Sequence, residues 1–463
     1  FLQTANIDMG SDQWTTTTGT DPDPDEGGTA FSGTYDGGDF TISNLDIAVS
    51  EDYVGLFGYV TGDIRNVNLD NTNSVTGDSN VGALVGRLRS GTVTNSSSAV
   101  NVVGVDTAIG GLVGTNYGTI SDSHATGNVT GTGDQEEMGG LIGRQRSTGR
   151  VSNSYATGNV TGIDNVGGLI GEGDEGSIAS GVYATGLVTG SGATNRALGG
   201  LLGENAGTLT NCYATGEVDQ GGDSGGLVGE NTGSGTVSNC YSTGEVDAET
   251  VGTDGGLVAV NSGSVSNSFW DKVTSDAETS AGGTGKTTAE LKTLATFTDA
   301  GWSITESCDA TTIWGLCSTR NSGYPYLTFY TAPPTPSDTF VQFTFSLPDG
   351  RECTSISPVQ VRSGSQYRLP DGDALCQTTP GSKVIGWTIP VAAGFTGAGS
   401  SSLPFSPGHL VDASNSQQFT AVLWEPVIEF RYDANVGVGV TCEPGEATHT
   451  SNNGHLAHIW VPR

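Results

Sequence analysis

Short apolar segments separated by glycine-rich polar turns recur through the first 270 or so residues of the chain. Within each segment, Val, Ile or Leu residues alternate with polar ones, which is the two-residue period of a β-strand that buries one face. No segment before about residue 286 has the period or the capping residues of a helix. The pattern therefore predicts a chain of many short strands.

The strands belong to a repeat that is marked by the signature Gly-x-Leu-x-Gly. Its copies end at Gly58, Gly86, Gly114, Gly143, Gly171, Gly203, Gly229 and, in a variant form, Ala259, in steps of 26 to 32 residues. A β-type repeat of this length is typical of a solenoid, in which each coil buries its apolar face only against its neighbours. Each unit divides into three short strands, so we predict a parallel β-helix of triangular section with coils of about 28 residues.

Equivalent residues of successive coils should lie about 4.8 Å apart and form ladders. One ladder contains Asn66, Asn95, Asn153, Asn211, Asn239 and Asn267, and a second contains His124, Tyr155, Tyr183, Tyr213, Tyr241 and Phe269. We expect amide hydrogen bonds at a corner in the first and ring stacking in the second. Both are interpreted as structural, and the sequence leaves open whether the aromatic row faces inward or outward.

Composition narrows the class of protein. Of 463 residues, 73 are glycine and 34% are hydrophobic, which excludes one large globular core, and the glycines lack the three-residue period of collagen. Fifty acidic and 17 basic residues give a formal net charge of −33. This charge repels nucleic acid and anionic lipid, and the chain has no run of 18 apolar residues. We therefore expect no nucleic-acid partner and no membrane span in this chain.

Two consecutive stretches carry a resemblance to a known family. Residues 139–162 read GGLIGRQRSTGRVSNSYATGNVTG, and residues 167–190 read GGLIGEGDEGSIASGVYATGLVTG. They resemble the GLUG motif of bacterial surface proteins, including filamentous-haemagglutinin-like adhesins and some immunoglobulin A proteases. The early FSGTYDGGDFTISNLDI and the later SNSFWDKVTSDAETSAGGTGKTTAELKTLATF resemble the first and last parts of such modules. The resemblance covers about residues 1–330 and implies an extracellular, right-handed β-helix, but no reaction.

We divide the chain into a solenoid, its C-terminal cap, a proline-rich linker, a small β-rich domain and a partial second copy of that domain. These parts span residues 1–272, 273–330, 331–339, 340–426 and 427–463. The small domain resembles the β-grasp repeats of internalin-type surface proteins. A cap is expected because the last coil of a solenoid exposes unpaired strand edges. A short helix at 287–292, capped by Thr287, is expected to lie across that edge.

Seven cysteines indicate an oxidising compartment. Cys212 and Cys240 occupy the same place in consecutive coils, so stacking would bring their Cα atoms about 4.8 Å apart, within reach of a disulfide. Two further pairs are predicted, Cys308 with Cys317 and Cys353 with Cys376. Cys442 is left over, and we expect it to stay free or to pair outside this chain, in a precursor longer than 463 residues.

Some parallel β-helices cleave polysaccharides, and such chemistry needs paired carboxylates or a metal-bound carboxylate cluster beside a basic residue. Five arginines cluster near successive turns: Arg87, Arg89, Arg144, Arg146 and Arg150. No carboxylate pair is recognised in register with them, so we predict no catalytic residue and no enzyme activity. Gly-Thr-Gly-Lys at 283–286 lacks the spacing of a phosphate-binding loop. The histidines His449, His455 and His458 lie in a polar terminal stretch.

No cofactor is expected, with one alternative. The repeat is expected to place four carboxylates of consecutive coils next to one another: Glu217, Asp219, Glu245 and Asp247. A second group of carboxylates is close in sequence: Asp21, Asp23 and Asp25. Stacked like charges repel unless a cation lies between them, and Ca2+ is the ion that such oxygen ligands would hold. The competing interpretation is a solvated acidic face.

The leading hypothesis is a secreted or cell-surface structural protein, either an adhesin stalk or the subunit of an extracellular filament or layer. Self-association through β-edges and terminal domains is expected, and surface glycans or a neighbouring cell surface are the other candidate partners. The alternative is a carbohydrate-binding or carbohydrate-cleaving β-helix. A weaker alternative is ice or mineral binding through an outward row that includes Thr130 and Thr161.

Overall fold

The computed structural model describes residues 1–328, apart from 11–12, 15–28, 134–135, 192–195, 220–221 and 248–252, together with eight strands beyond residue 328. The chain forms two compact units, Phe1–Thr331 and Ala332–Arg463. Several predicted features lie outside the described residues: Asp21, Asp23, Asp25, Cys353, Cys376, Cys442, His449, His455 and His458.

The first unit is a parallel β-solenoid of about eight coils, which confirms the predicted fold class. Each complete coil passes through four sheets, which we number I to IV in chain order, rather than the three predicted. The additional strand arises because the motif, through a Gly-Gly pair in all but its first two copies, turns the chain between two short strands that the sequence pattern merges into one. In the coil that starts at Thr107 these two strands are Thr107–Gly110 and Val113–Asn116.

Sheet I contains Val81–Gly82, Thr107–Gly110, Glu136–Gly139, Asp164–Gly167, Arg196–Gly199, Ser224–Gly225 and Asp254–Gly255. Sheet II contains Phe57–Val60, Val85–Leu88, Val113–Asn116, Ile142–Gln145, Ile170–Gly173, Leu202–Asn205, Val228–Asn231 and Val258–Asn261. Sheet III contains Ile7–Asp8, Thr34–Asp36, Thr41–Ser43, Asp63–Arg65, Asn68–Leu69, Thr92–Thr94, Ser97–Ser98, Thr119–Ser121, His124–Ala125, Arg150–Ala156, Ile178–Ala184, Thr208–Ala214, Thr236–Ser242, Ser264–Ser266, Phe269–Asp271 and Thr284–Lys286. Sheet IV contains Gln13–Trp14, Asp46–Ala48, Ser74–Gly77, Asn101–Gly104, Val129–Gly131, Val160–Gly162, Val188–Gly190, Val218–Asp219 and Val246–Asp247.

The glycines of the motif are required by close backbone contacts between sheets I and II. A Cβ atom on Gly139 would lie 1.9 Å from the carbonyl oxygen of Ile142, and one on Gly140 would lie 2.2 Å from that of Gly168. A Cβ atom on Gly143 would lie 2.3 Å from the carbonyl carbon of Ala108 in the preceding coil. These distances are far below van der Waals contact, so the repeated glycines are a packing requirement of this bend.

The predicted asparagine ladder is a row of left-handed backbone corners within sheet III. Its six asparagines have φ between 47° and 55°, and Asp122 and Gly181 take the same place in their own coils with φ of 52° and 65°. Asn, Asp and Gly are the residues that adopt this conformation most readily, so backbone geometry determines the ladder. One amide pair bonds as predicted, since Asn95 Nδ2 donates to Asn66 Oδ1 at 2.8 Å.

A second amide ladder, which the sequence analysis misses, lies buried at the end of sheet II. Its members are Asn116, Gln145, Asn205, Asn231 and Asn261. Asn205 Nδ2 donates to Asn231 Oδ1 at 2.8 Å, and Asn231 Nδ2 donates to Asn261 Oδ1 at 2.7 Å. Inside the solenoid these amides bond to one another instead of to water, which avoids the free-energy cost of an unpaired buried polar group.

The C-terminal end of the solenoid is closed by residues 272–286, which we call the closing coil. Its backbone bonds to the last full coil in sheet after sheet: Val246 N donates to Ser275 O, Gly256 N to Thr279 O, and Ala281 N to Val258 O, each at 2.9 Å. Thr284–Lys286 then pairs in parallel with Phe269–Asp271. The prediction that a helix lies across this edge is therefore wrong, because an extended segment satisfies the exposed strand groups directly.

Residues 287–328 form a side module on the outer face of sheet III. It contains the helices Thr288–Leu291 and Leu294–Thr298, the 3-10 turn Asn321–Gly323, and the strands Ile304–Glu306, Trp314–Leu316 and Pro325–Leu327. Thr287 caps the first helix as predicted, with its side chain accepting from Glu290 N while Glu290 accepts from Thr287 N. Phe297, Trp302 and Trp314 are buried against Tyr213, Tyr241 and Phe269, so the aromatic row faces outward here and anchors the module.

Two of the predicted disulfides are present. Cys212 and Cys240 pair in register on adjacent strands with a Cα–Cα distance of 4.6 Å, and both are fully buried in the solenoid core. Cys308 bonds to Cys317 in the side module, with a Cα–Cα distance of 5.0 Å.

The second unit has a mixed four-stranded sheet in the order Val359–Arg362, Phe340–Ser346, Gln417–Trp424, Lys383–Thr388. The two central strands are parallel, and each outer strand is antiparallel to its neighbour. Two small antiparallel pairs accompany it, Gln366–Arg368 with Leu410–Asp412 and Arg431–Asp433 with Gly437–Gly439.

Candidate functional site

Charged and aromatic side chains are concentrated on the outer face of sheet II. The residue that directly follows each motif is in register with its equivalents in neighbouring coils, which gives the row Tyr59, Arg87, Thr115, Arg144, Glu172, Glu204 and Glu230. Most of these side chains are half-buried. We call this row and the side chains that contact it the charged band.

In or directly beside sheet I, six residues with left-handed backbone turn the chain next to this row. Tyr53, Asn80, Ala108, Glu137, Asn165 and Ala197 occupy equivalent places six residues, or five for Tyr53, before the end of a motif, with φ between 48° and 65°. Their side chains reach the row, as shown by Thr115 Oγ1 donating to Asn80 Oδ1 at 2.6 Å. Glu137 and Tyr53 thereby become part of the charged band.

One end of the band is an arginine–tyrosine cluster made of Tyr53, Tyr59, Arg87, Arg89, Tyr117 and Arg146. The guanidinium carbon of Arg87 lies 5.6, 5.7 and 4.9 Å from the ring centroids of Tyr53, Tyr59 and Tyr117. Arg89 lies 4.8 Å and Arg146 lies 5.5 Å from the Tyr117 ring centroid. These distances fall within the range of cation–π attraction, so one tyrosine ring holds three guanidinium groups.

Hydrogen bonds orient the same groups. Arg87 donates to the hydroxyl oxygen of Tyr53 at 3.2 Å and to that of Tyr117 at 2.9 Å, and Arg146 Nε donates to the Tyr117 hydroxyl at 3.0 Å. Burial by itself would raise the pKa of Tyr117, but the bond from Arg146 and the positive charges of Arg87 and Arg146 outweigh it and lower that pKa.

The other end of the band is a carboxylate cluster around Arg144. The guanidinium forms ion pairs with Glu137, with Glu172 at 3.0 Å and with Asp174 at 3.0 Å. Arg146 contacts Asp174 at 3.4 Å and thus joins the two clusters. Asn165 Nδ2 donates to Glu172 at 3.2 Å and to Glu204 at 3.3 Å. Three carboxylates therefore share one guanidinium in a partly buried site.

Protonation is favoured in this cluster. Glu137 is 5% exposed, and burial, opposed by Arg144 and reinforced by the nearby charge of Glu172, raises its pKa to about 7. Burial likewise raises the pKa of Glu172 and of Glu204. A buried group of three acids and one base lowers its net negative charge by keeping a proton near neutral pH.

The carboxylate cluster corrects the sequence analysis, which recognises no carboxylates in register with the arginines. Arg144 pairs directly with Glu172 on the adjacent strand, one coil further along. Alignment of the residues after each motif contains this signal, whereas Glu137 is brought in by a left-handed corner that the sequence does not reveal. Of the five arginines, Arg87, Arg89, Arg144 and Arg146 lie in the band. Arg150 lies on sheet III, where it bonds to the carbonyl oxygens of Gly149 and Gly176.

The carboxylates proposed as a cation site lie on and beside sheet IV. Asp219 pairs in register with Asp247, and Glu217 and Glu245 are exposed beside them. Within the described part of the chain, no group of three or more His, Cys, Asp or Glu side chains is arranged to hold a metal ion. The geometry adds no support for Ca2+ at these four residues.

The aromatic row on sheet III stacks face to face along the solenoid. Ring centroids are 4.6 Å apart for His124 and Tyr155, 4.8 Å for Tyr155 and Tyr183, and 4.7 Å for Tyr183 and Tyr213, with ring planes within 5° of parallel. Neighbouring rings cover each other's faces, so the row presents ring edges to the outside. This arrangement suits stabilisation of the coils better than stacking against a sugar.

Comparison with known proteins identifies the repeat. The GLUG motif matches residues 106–130, 135–161, 194–219 and 220–247, and these copies coincide with coils of the solenoid. The chain therefore contains GLUG repeats, as the sequence analysis expects. Among the described residues, no helix is long and apolar enough to cross a membrane.

Two known proteins are similar to parts of this chain. A protein described as a Gly-rich membrane protein, from Evansella cellulosilytica, is 31% identical over 141 residues, which is 30% of this chain and 12% of that protein. Halomucin from Haloquadratum walsbyi is 40% identical over 126 residues, which is 25% of this chain and 1% of that protein. The matches thus span only a small part of both relatives. No solved structure matches the chain significantly.

Proposed function

We propose that this chain, which contains GLUG repeats, is an extracellular structural protein of the cell surface that serves as a rigid stalk. The repeats and the two relatives indicate a cell-surface structural protein, and the solenoid fold indicates a structural role. The stalk function is our own step beyond these observations. In this proposal the chain carries out no catalysis.

The observation that carries the proposal is the closing coil. Residues 272–286 bond to the last full coil in all four sheets, so the strand groups of that coil already have partners, and the only strand described within the closing coil is the short Thr284–Lys286. A solenoid that grew into a filament by edge pairing at this end would need those groups to be open. The closed end therefore favours a stalk of defined length over edge-to-edge polymerisation there.

The ladders supply the rigidity that a stalk requires. Neighbouring coils bond through parallel sheets, several of them also through the amide ladder, and two of them through a disulfide. At about 4.8 Å per coil, the seven steps from Gly58 to Ala259 correspond to a rod about 34 Å long. Such a rod displaces what it carries from its attachment by a fixed distance.

Location is tested by labelling intact cells that produce the protein with antibody against the purified chain. Label on unpermeabilised cells, removed by external protease, supports the proposal, whereas label that requires permeabilisation overturns it.

Electron microscopy of the purified chain separates the two structural alternatives. Short particles of constant length at all concentrations support a stalk, and filaments that lengthen with concentration support the filament alternative instead.

A further inference from the structure

The arginine–tyrosine cluster concentrates positive charge on an otherwise acidic solenoid. The first 271 residues contain seven basic side chains, and four of them, Arg87, Arg89, Arg144 and Arg146, lie in the charged band. Basic side chains scattered over the surface would serve solubility equally well, so solubility does not explain their clustering. Clustering of the scarce cations on one face of a chain with a net charge of −33 indicates a role for positive charge at that face.

Arg87 is held in place without being neutralised. Arg65, Arg144 and Arg146 each contact a carboxylate within 4 Å, but among the described residues Arg87 and Arg89 form no ion pair. The contacts that orient Arg87 come from three tyrosines, which are neutral at physiological pH. Its Nε atom is buried, and no described protein atom accepts a hydrogen bond from it. The charge of Arg87, which no carboxylate neutralises, favours an anion nearby, and Arg89, which is exposed, is open to contact by that anion.

The spacing of the charges selects the kind of anion. The Arg87 and Arg89 pair is two coils, about 9.6 Å at 4.8 Å per coil, from Arg144 and Arg146, whose charges are paired with carboxylates, so positive charge is available only at the arginine end of the band. Double-stranded DNA carries a charge about every 1.7 Å, far denser than two neighbouring arginines can match, so the acidic remainder of the chain repels it strongly. A polysaccharide with one carboxylate or sulfate on each sugar or disaccharide has far fewer charges per unit length, so the same net charge repels it less.

We infer that the arginine–tyrosine cluster binds an acidic polysaccharide, whose carboxylate or sulfate groups pair with Arg87 and Arg89. The polymer lies along the band with its charged groups at the arginine end, because the carboxylates around Arg144 repel it further along. The exposed Arg89 suits this task since the planar fork of an arginine bonds both oxygens of an anionic group. The inference deepens the proposed function and rests on it, by naming what a surface stalk would hold.

The test measures binding of the full chain to three immobilised polymers: polygalacturonate, which carries only carboxylates, dextran sulfate, which carries only sulfates, and neutral dextran. EDTA is present so that divalent cations do not bridge protein and polymer. Binding to either charged polymer but not to neutral dextran is expected, and the polymer preferred identifies the anionic group. Absence of binding to both charged polymers overturns the inference, as does equal binding to single-stranded DNA.

Variants locate the site. Arg87→Gln and Arg89→Gln should each weaken binding about tenfold, the loss typical of one charge-assisted hydrogen bond. Arg150→Gln removes the same charge from sheet III and should leave affinity unchanged. Arg89 is exposed, so its substitution keeps the test valid if Arg87→Gln fails to fold. Equal weakening by Arg150→Gln would overturn the assigned site. The cell-labelling result does not depend on any of these measurements, so the two proposals fail separately.

Discussion

At the scale of single residues, left-handed backbone positions decide which side chains meet. Glu137 has φ of 65°, and this conformation places its carboxylate beside Arg144, seven residues later, and Glu172 of the next coil. With an extended backbone at residue 137, the direction of the side chain would instead be set by the regular alternation of side chains along the strand. The buried carboxylic acid Glu137 therefore owes its surroundings, and its raised pKa, to one backbone corner.

Replacement of this acid should change how stability depends on pH. The pKa of Glu137 is raised in the folded state, so the folded chain binds the proton more tightly than the unfolded chain. Its contribution to stability is full below about pH 4.5 and is lost as the pH rises towards 7, by about 3 kcal/mol at most. Glu137→Gln should therefore raise the melting temperature at pH 8 and have little effect at pH 4.5.

Thermal unfolding followed by circular dichroism at the two pH values measures this difference. Glu217→Gln is the matched control, since it removes one exposed carboxylate from the neighbourhood of sheet IV. A Glu137→Gln variant less stable than the wild type at pH 8 would show that the ion pair with Arg144 outweighs burial.

The asparagine corners give a second prediction at this scale. Asn153 has φ of 49°, and the equivalent residue of the next coil is Gly181 with φ of 65°. Asn153→Gly should change the free energy of unfolding by less than about 0.5 kcal/mol, while Asn153→Val should lower it by about 2 kcal/mol because a β-branched side chain is strained there. Urea unfolding distinguishes these outcomes, and equal stability of the two variants would refute a backbone role for the ladder.

At the scale of elements, the bend between sheets I and II explains the repeated glycines. The two strands of each coil approach so closely that backbone atoms of adjacent coils occupy the space of a side chain. The motif is therefore a steric requirement of the bend, and its leucine, such as Leu141, fills the core beneath it.

Gly140→Ala should lower the free energy of unfolding by about 3 kcal/mol or more, because its Cβ atom would lie 2.2 Å from the carbonyl oxygen of Gly168. Gly233→Ala is the control, since no atom of the described residues lies within 4 Å of a Cβ atom placed there. Denaturant unfolding of both variants tests the argument. Equal effects would mean that the glycine matters for chain entropy and not for packing.

At the scale of the whole molecule, two segments protect the solenoid: the closing coil covers its C-terminal end, and the side module packs against the outer face of sheet III. The closing coil continues the strand pairing, and the side module covers the last aromatic rings of sheet III. Trp302 Nε1 donates to Asn267 O at 2.8 Å, and the Tyr241 hydroxyl donates to Pro325 O at 2.6 Å. Edge protection and lateral support are thus separate tasks of neighbouring segments.

Displacing the closing coil should cause self-association. Gly283 has φ of 81°, and a Cβ atom there would lie 2.5 Å from Leu257 Cδ2, so Gly283→Val should disturb the coil and expose strand edges. Light scattering should show a concentration-dependent increase in mass. Gly301→Val is the control, because Gly301 also has φ of 81° but its Cβ position is open. Self-association of the control to the same extent would contradict the protective role of the closing coil.

The sequence by itself determined the solenoid, the coil length, the disulfide between Cys212 and Cys240, and the cap of the helix at Thr287. Each follows from local composition or from one constant spacing, which a linear chain displays directly. Register explains the disulfide, because residues 28 positions apart become neighbours in adjacent strands.

The tertiary structure alone decided the number of sheets, the outward direction of the aromatic row, the path of the closing coil and the composition of the charged band. These depend on where the chain turns, and a left-handed corner or a Gly-Gly bend changes which face a residue joins, just as a one-residue shift does in a strand. Tyr53 and Arg87 are 34 residues apart, and Tyr117 is 30 further on. Only the corners and the lateral packing of coils bring these three side chains into one cluster.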